Sequence, residues 1–313
     1  NVSSPAVVGN YLHFGTMAGY YYVLDRQTGK TIREIDCRDP IFSAPAVSEG
    51  RVYFVTLGSH VYALEPDGTI AWQWDFVSEV LGFQGNRWSG EEWHKHKQGR
   101  VTWKDHFVSS RNLSVYKKTI VVPAGGRTVF LEDQGSEARL RIVNETPSFH
   151  GSEYPACFGQ SIGEDGSVYV QWHRRDNAGR VEKFTLSGDT VTAIAVPGTE
   201  TYIDTPGLMS FSSVSLRGDD VYRVRPERGF GFCRHRPGQE KPTLLGGYPS
   251  ICSPILLKDH GVYGGLDGKL YVVRLDGTGE PWSFETPFGS PITSPVAVAD
   301  GRLFVGTFDG RLV

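Results

Sequence analysis

The sequence is poor in the residues that form the commonest metal and redox motifs. It has 4 cysteines, at Cys37, Cys157, Cys233 and Cys252, and no two of them are close enough to form a CxxC motif. This spacing excludes a zinc ribbon, a thioredoxin-type centre and c-type haem attachment. Two disulfides and a set of buried free thiols both stay open as alternatives.

An excess of charge of one sign is also lacking, as are long hydrophobic runs. The 32 Lys and Arg residues nearly balance the 35 Asp and Glu residues, which gives a formal net charge of -3. Such a chain has no overall attraction for nucleic acid or for an anionic membrane, so we expect neither as a partner. No apolar stretch reaches the roughly 18 residues of a membrane-spanning helix, so we expect no transmembrane segment.

Methionine is scarce, with 2 residues, whereas glycine is abundant, with 38, and aromatic residues make up 12% of the chain. Many glycines together with many tyrosines, phenylalanines and valines are typical of short strands joined by tight turns. The composition therefore favours an all-β fold.

A unit of about 40 residues recurs at both ends of the chain, with Pro5, Pro45, Pro254 and Pro295 at equivalent positions. Each unit begins with a small residue followed by proline, as suits an edge strand, and continues through a glycine turn into two alternating strands. In the four clear copies these two strands cover residues 11–15 and 22–25, 51–55 and 61–65, 262–265 and 270–273, and 302–306 and 311–313.

Weaker copies occupy residues 110–133, 154–184 and 211–233. Seven copies of a unit of three or four strands predict a seven-bladed β-propeller, an all-β fold that forms one domain over residues 1–313. The last copy stops before its outer strand would be complete. We therefore expect either a short final blade or, as the favoured alternative, a fragment of a longer protein, which would allow eight blades.

The units resemble the repeats of the PQQ-like propeller family. The segment SAPAVSEGRVYFVTLGSHVYALEPDGT follows the family pattern of SPAV, then GxVYVGT, then LYALDxxTGxxxW. The resemblance covers nearly the whole chain but weakens between about residues 77 and 250. The docking tryptophan of the family is matched by Trp72 or Trp74 and by Trp282, whereas the first copy has Ile35 and Asp36 nearby instead.

The resemblance implies one of two kinds of function. The family contains quinoprotein alcohol dehydrogenases and non-catalytic scaffolds of the BamB type. The dehydrogenases hold their quinone beneath a disulfide between adjacent cysteines and bind Ca²⁺ through Glu, Asn and Asp. Since this sequence has neither adjacent cysteines nor a matching constellation, the resemblance implies a scaffold without PQQ, Ca²⁺ or another cofactor, in the periplasm or outside the cell.

An insertion at about residues 77–106, between the second and third copies, is the best candidate for a binding site, because long loops on a rigid scaffold often carry function. A metal site would use His94 and His96, which would project from one face of a strand. We expect no metal site, because His-Lys-His is a weak pattern for metal binding. The alternatives are a contact surface for a protein or carbohydrate polymer and, as the favoured interpretation, tryptophans that pin the insertion to the propeller. The residues concerned are Trp88, Trp93, His94, His96, Trp103 and His106.

A second, weaker candidate is a basic patch for an anionic ligand formed by Arg223, Arg225, Arg234 and Arg236. Alternating arginines on a strand are more often a solvated face. We assign no catalytic residue. The sequence thus predicts a non-catalytic, extracytoplasmic propeller that binds a protein or polymer. The alternative is an enzyme on the same fold, either a quinoprotein or a polysaccharide-active propeller that would need paired carboxylates.

Overall fold

The computed structural model describes residues 4–97, 107–109, 111–145, 156–173, 178–202, 212–225, 231–287 and 289–313. Their regular structure consists of short antiparallel strands and, in one connection, two helices. The chain forms two compact units, Asn1–Cys157 with Leu186–Val191, and Phe158–Thr185 with Thr192–Val313. Within the described ranges, no helix has the length and apolar character needed to cross a membrane.

The first unit contains three four-stranded antiparallel sheets. In each sheet the strands lie in chain order, so the first strand of each sheet is an edge strand. The small residue and proline at the start of each sequence repeat predict this edge position. The strands are β1 (Ala6–Val8), β2 (Tyr11–Gly15), β3 (Tyr20–Asp25), β4 (Thr31–Asp36), β5 (Ala46–Ser48), β6 (Arg51–Val55), β7 (His60–Leu64), β8 (Ile70–Asp75), β9 (Ser114–Tyr116), β10 (Thr119–Ala124), β11 (Arg127–Asp133) and β12 (Ala138–Glu145).

The second unit continues the same pattern and ends in a two-stranded sheet formed by β26 and β27. In its first sheet an additional short strand, β17, pairs with β15. The remaining strands of the described residues are β13 (Ala156–Ile162), β14 (Val168–His173), β15 (Ala178–Ser187), β16 (Thr190–Ala195), β17 (Thr201–Tyr202), β18 (Ser215–Arg217), β19 (Asp220–Val224), β20 (Phe232–His235), β21 (Thr243–Gly246), β22 (Ile255–Leu256), β23 (His260–Gly264), β24 (Lys269–Arg274), β25 (Trp282–Glu285), β26 (Ala297–Ala299) and β27 (Arg302–Phe304).

The core lies between neighbouring sheets, as the second sheet shows, because its strand β7 is buried on both faces. In β7, Val61 and Ala63 belong to the cluster shared with the third sheet, whereas Tyr62 and Leu64 belong to the cluster shared with the first. Alternate side chains of a strand point to opposite faces, so an apolar run such as HVYAL can fill two interfaces at once. This packing is what a blade of a propeller requires.

The connections between successive sheets are held by the same kind of backbone hydrogen bond. The carbonyl of Pro40 accepts from the amide of Leu57 at 2.7 Å, and the next residue, Ile41, donates to the carbonyl of Thr16 at 2.9 Å. Each connection is thereby tied to the sheet before it and to the sheet after it. In the second unit the same hydrogen bond recurs at Pro249 and Pro291, whose carbonyls accept from Leu266 at 3.1 Å and from Phe308 at 2.9 Å.

The repeated four-stranded antiparallel sheets confirm the predicted all-β propeller class. The number of seven blades and the single domain over residues 1–313 stay predictions. Of the two cysteine alternatives, the structure supports free thiols, because Cys37, Cys233 and Cys252 are buried and unbridged. The side chain of Cys157 lies outside the described residues.

Candidate functional site

The insertion begins where β8 ends, and its described part forms two helices. Helix α1 (Phe76–Glu79) starts at Asp75, whose carboxylate caps it by accepting from the amide of Val77 at 3.2 Å. Helix α2 (Gly90–Lys97) starts after Ser89, whose hydroxyl accepts from the amide of Glu92 at 3.3 Å. The sequence Ser-Gly-Glu-Glu has the Ser-x-x-Glu spacing that starts many helices, and this local signal was available in the sequence.

The two described tryptophans of the insertion have different roles. Trp93 is buried, and its ring meets those of Phe83 and Phe107 edge-on at centroid distances of 4.8 and 5.4 Å. Trp93 also belongs to the core cluster between the second and third sheets, so it fastens the insertion to the sheets as the packing interpretation expects. Trp88 also contacts Phe107, at 5.3 Å, but 40% of it is exposed.

The histidines of the insertion do not lie on a strand. His94 and His96 fall in α2, where each residue turns the chain by about 100°, so the argument that a shared strand face would pair them is wrong. Their side chains, and the whole of Trp103 and His106, lie outside the described residues.

A charged network fastens the insertion a second time. The guanidinium of Arg87 forks onto the carboxylate of Asp75, with N···O distances of 2.8 and 2.6 Å, and also donates to the carbonyl of Gly58 at 2.5 Å. His60 Nε2 lies 3.4 Å from the same carboxylate. Burial alone would raise the pKa of Asp75, but the hydrogen bonds from His60 and Arg87 outweigh it and hold that pKa well below its usual range.

A second carboxylate, Asp39, is 4% exposed beside this network. Its Oδ2 accepts from Thr56 Oγ1 at 2.5 Å and from the amide of Gly58 at 2.7 Å. Burial raises the pKa of Asp39, and these hydrogen bonds partly oppose that rise. Gly58 is required here because a Cβ would meet Asp39 on one side and Cδ of Arg87, at 3.1 Å, on the other.

This arrangement mounts the insertion on the second sheet. Asp75 and Arg87 pair with each other, and His60 lies against the same carboxylate. Across the described part of the chain, no three His, Cys, Asp or Glu side chains are grouped so that they could hold a metal ion. The mount fixes the insertion and leaves the indole of Trp88 presented at its surface.

The docking tryptophan of the second sheet is Trp72. Its Nε1 donates to Oδ1 of Asp133 at 3.0 Å, and Tyr53 donates to Oδ2 of the same carboxylate at 2.6 Å. Arg51 completes this buried network at 2.9 and 2.8 Å from the two oxygens and reaches Glu65 at 2.6 Å. The network borders a cleft of about 400 Å³, and within the network Arg51 is paired with Glu65 and Asp133.

The four arginines of the second candidate do not form one surface. Arg223 lies opposite Cys233 in the sheet, and Arg234 lies opposite Tyr222, so strand alternation sends the two to different faces. Arg223 is 1% exposed, and its Nε donates to Nε2 of His235 at 3.1 Å. Burial, with the nearby charge of Arg223, lowers the pKa of His235 to about 3.

The other arginines of that set are committed elsewhere. Arg234 donates to the carbonyl of Leu275 at 2.9 Å, and Arg236 forks onto Asp220 at 3.0 and 2.9 Å. Arg225 is partly buried. The sequence shows the alternation along each strand but not how β19 and β20 pair. That pairing places Arg223 and Arg234 on different faces of the sheet.

The sequence does not place Asp165, Glu182, Asp204 and Asp219 relative to one another, so it leaves open whether any two are the paired carboxylates of a polysaccharide-active enzyme. Three of them lie near basic side chains. Asp165 and Asp219 lie 3.4 and 3.8 Å from Nζ of Lys183. Glu182 is buried against Arg180. Asp204 lies outside the described residues.

Comparison with known proteins supports the family that the repeats indicate. Residues 2–143 match the model of a family described as outer membrane protein assembly factor BamB. No curated protein matches the sequence. The family match and the similar solved structures together confirm the identification of PQQ-like propeller repeats.

Solved structures extend the likeness to the whole chain. BamB from Moraxella catarrhalis aligns with a TM-score of 0.63 at 12% identity, over 99% of this chain and 81% of that one. A europium-containing methanol dehydrogenase aligns with a TM-score of 0.59 at 13% identity, over 97% and 72%. The computationally designed protein Ika8 aligns with a TM-score of 0.55 at 15% identity, over 100% and 96%. At these identities the likeness establishes the fold alone.

The described residues do not fit a quinone and calcium centre. Among them no cluster of His, Cys, Asp and Glu suits a cation, and the three described cysteines are separate buried thiols. The absence of a cofactor nevertheless stays a prediction.

Proposed function

We propose that this PQQ-like propeller protein is a non-catalytic, extracytoplasmic scaffold that binds another polypeptide through the insertion of its first unit. One observation carries the proposal: a doubly fastened insertion presents a partly exposed tryptophan. Trp93 and Arg87 hold the segment in place, and Trp88 stands 40% exposed between them. Tryptophans on rigid supports are the residues that most often dominate protein–protein contacts.

A protein partner is favoured over a carbohydrate. Sugar sites combine an aromatic face with polar groups that converge on the hydroxyls. Here Arg87 is bound to Asp75, and the carboxylate of Glu92 accepts from the amide of Asn86 at 2.8 Å, so these two charged neighbours of Trp88 along the chain already have hydrogen-bond partners. The extracytoplasmic location is supported by the matched family, whose description places it in outer membrane assembly.

A binding experiment with a matched control tests the proposal. The probes are a panel of unstructured synthetic peptides that carry aromatic residues and a panel of oligosaccharides. We expect peptide binding that weakens about tenfold or more in Trp88→Ala, a loss of about 1.4 kcal/mol or more. Ile194→Ala, which removes a side chain that is 62% exposed in the second unit, should bind like the wild type.

Two results would overturn the proposal. The first is peptide binding that Trp88→Ala leaves unchanged, or binding of oligosaccharides only. The second is dye reduction with an alcohol after incubation with PQQ and Ca²⁺, since turnover would make the protein a dehydrogenase. Thermal unfolding of Trp88→Ala should match the wild type closely, which separates a lost contact from a lost fold.

A further inference from the structure

A cleft of about 400 Å³ lies between the second and third sheets, within the first unit. It is lined by the turn that joins β5 to β6, by the residues that follow β7, and by the turns of the third sheet that hold Lys118 and Gly135. The insertion starts at Asp75, which pairs with His60 at the opposite end of β7. The cleft and the insertion are therefore at opposite ends of the second sheet.

The floor of the cleft is held by the buried carboxylate of Asp133. Nη1 of Arg51 donates to both of its oxygens and also to the carbonyl of Gly135 at 2.8 Å. Nη2 of Arg51 donates to Oε1 of Glu65 at 2.6 Å. Within the described residues, Oε2 of Glu65 has neither a hydrogen bond nor an ion pair. One oxygen of a carboxylate that is fixed in position is thus available to a ligand.

Two exposed charges, Glu49 and Lys118, stand at the rim of the cleft. In the part of the chain that the structure describes, neither side chain forms an ion pair or a hydrogen bond. Glu49 and Gly50 have φ values of 49° and 82°, as in the two-residue hairpin turn that fixes this part of the rim. Burial, Asp133 and, to a smaller extent, the charge of Glu49 raise the pKa of Tyr53, so the Glu49 carboxylate lies close enough to act on the floor.

The balance of charge in the cleft indicates what it would bind. Three carboxylates and two basic groups line it, so its net charge at neutral pH is −1. A ligand with one net positive charge complements that balance, and a carboxylate on the same ligand would complement Lys118. Across the described residues no group of side chains suits a metal ion, which favours an organic cation. The volume is near the lower end of the roughly 300–1,000 Å³ of small-molecule sites.

We propose that this cleft binds a basic amino acid, a small molecule with two cationic groups and one carboxylate. Glu49 and Oε2 of Glu65 accept hydrogen bonds from the cationic groups, and Lys118 pairs with the carboxylate. Arg51 acts as a positioning residue, because it fixes Glu65 against the buried Asp133. The site is separate from the insertion and does not depend on the function proposed for it.

The probe is L-lysine, titrated against the protein and followed by ligand-observed NMR at low salt. Three related molecules serve as controls: norleucine lacks the side-chain ammonium, cadaverine lacks the carboxylate, and glutamate carries the opposite charge. We expect lysine to bind about threefold to fivefold more tightly than norleucine or cadaverine, as the loss of one exposed ion pair implies. Glutamate should not bind, and added salt should weaken the binding of lysine.

Two variants assign the ends of the ligand. Glu49→Gln should weaken the binding of both lysine and cadaverine, whereas Lys118→Gln should weaken that of lysine and leave that of cadaverine unchanged. Both side chains are exposed, so thermal unfolding should match the wild type. The matched controls, Glu79→Gln and Lys117→Gln, change exposed residues outside the cleft and should bind like the wild type. Trp88→Ala should also bind lysine normally, so failure here and failure of the insertion site are distinguishable.

Three outcomes would overturn the proposal. One is that lysine does not bind, or binds no more tightly than norleucine, cadaverine or glutamate. Another is that Glu49→Gln binds lysine as well as Glu79→Gln does. The third is that Lys118→Gln loses affinity for cadaverine as much as for lysine, since Lys118 would then not hold the carboxylate.

Discussion

Strands β8 and β25 occupy the same place in their sheets and have opposite surroundings. In β8, Trp72 and Trp74 are buried, and Trp72 donates to a carboxylate of the next sheet. In β25, Trp282 and Phe284 stand in the equivalent register and are exposed. The difference shows that the sequence of an outer strand does not by itself decide whether the strand is buried. The third strand of the following sheet does, and this strand lies far away in the sequence.

Charged residues at the ends of the two strands repeat the contrast. Asp75 pairs with His60 across the sheet, and Glu285 pairs with Lys269 in the same register. The insertion encloses Asp75 and adds Arg87 to it, at 2.6 Å. Glu285 is 69% exposed and lies 3.8 Å from Lys269. The same acidic position is a structural anchor in one strand and a solvated ion pair in the other.

The largest expected effect comes from truncating the equivalent tryptophans. Trp72→Ala should lower the free energy of unfolding by about 3–5 kcal/mol, because it opens a cavity and removes one of the donors to the carboxylate of Asp133. Trp282→Ala should cost less than about 1 kcal/mol, because its side chain is largely in water. Urea unfolding of both variants measures the contrast, and similar losses would mean that β25 is covered as β8 is.

The next effect is on the acidic positions and depends on pH. Asp75→Asn should cost about 2–3 kcal/mol at neutral pH, since it breaks a largely buried ion pair. Because the folded-state pKa of Asp75 lies below its unfolded value, its contribution is present above pH ~4 and is lost as the pH falls further. The difference between wild type and Asp75→Asn should therefore shrink at pH ~3 relative to pH ~7.

Glu285→Gln provides the control for that series. Its exposed ion pair is worth about 0–1 kcal/mol, so its unfolding midpoint in urea should stay near the wild-type value at both pH values. A constant difference between wild type and Asp75→Asn across the pH range would contradict the assignment of the lowered pKa to Asp75.

The smallest effect is expected at Arg33, which holds the position of Trp72 in the first sheet, opposite Val23. Arg33 reaches the second sheet through long hydrogen bonds of 3.4 Å to the carbonyl of Asp67 and to Thr69. Arg33→Ala should therefore cost under about 1 kcal/mol. A loss as large as that of Trp72→Ala would show that the polar contact replaces the docking tryptophan fully.

Local features of the sequence predicted the repeated part of the fold. The proline before each first strand, the alternating strands and the placement of a docking tryptophan at Trp72 or Trp74 all depend on a regular repeat of about 40 residues. The placement of the insertion between the second and third sheets also followed from the spacing of the repeat.

Contacts between distant segments could not be predicted in the same way. Trp88 and Trp93 look alike in the sequence, and both contact Phe107 in the fold, but Trp93 also packs against Phe83 and is buried, whereas Trp88 is partly exposed. The link from Arg87 to Asp75 joins a loop to a strand end, and Asp39 had no motif that marked it. The pairing register of β19 and β20, which divides the arginines, is likewise a property of the folded sheet.

The most direct test is site-resolved oxidation of the tryptophans in the folded protein alone, measured in one sample by mass spectrometry. The structure predicts that Trp282 and Trp88 react quickly, whereas Trp72, Trp74 and Trp93 react slowly, because the first two are 58% and 40% exposed and the others 8% or less. This result would separate the exposed tryptophans from the buried ones. Slow oxidation of Trp282, at the rate of Trp72, would contradict the account, because it would mean that the outer strand β25 is covered.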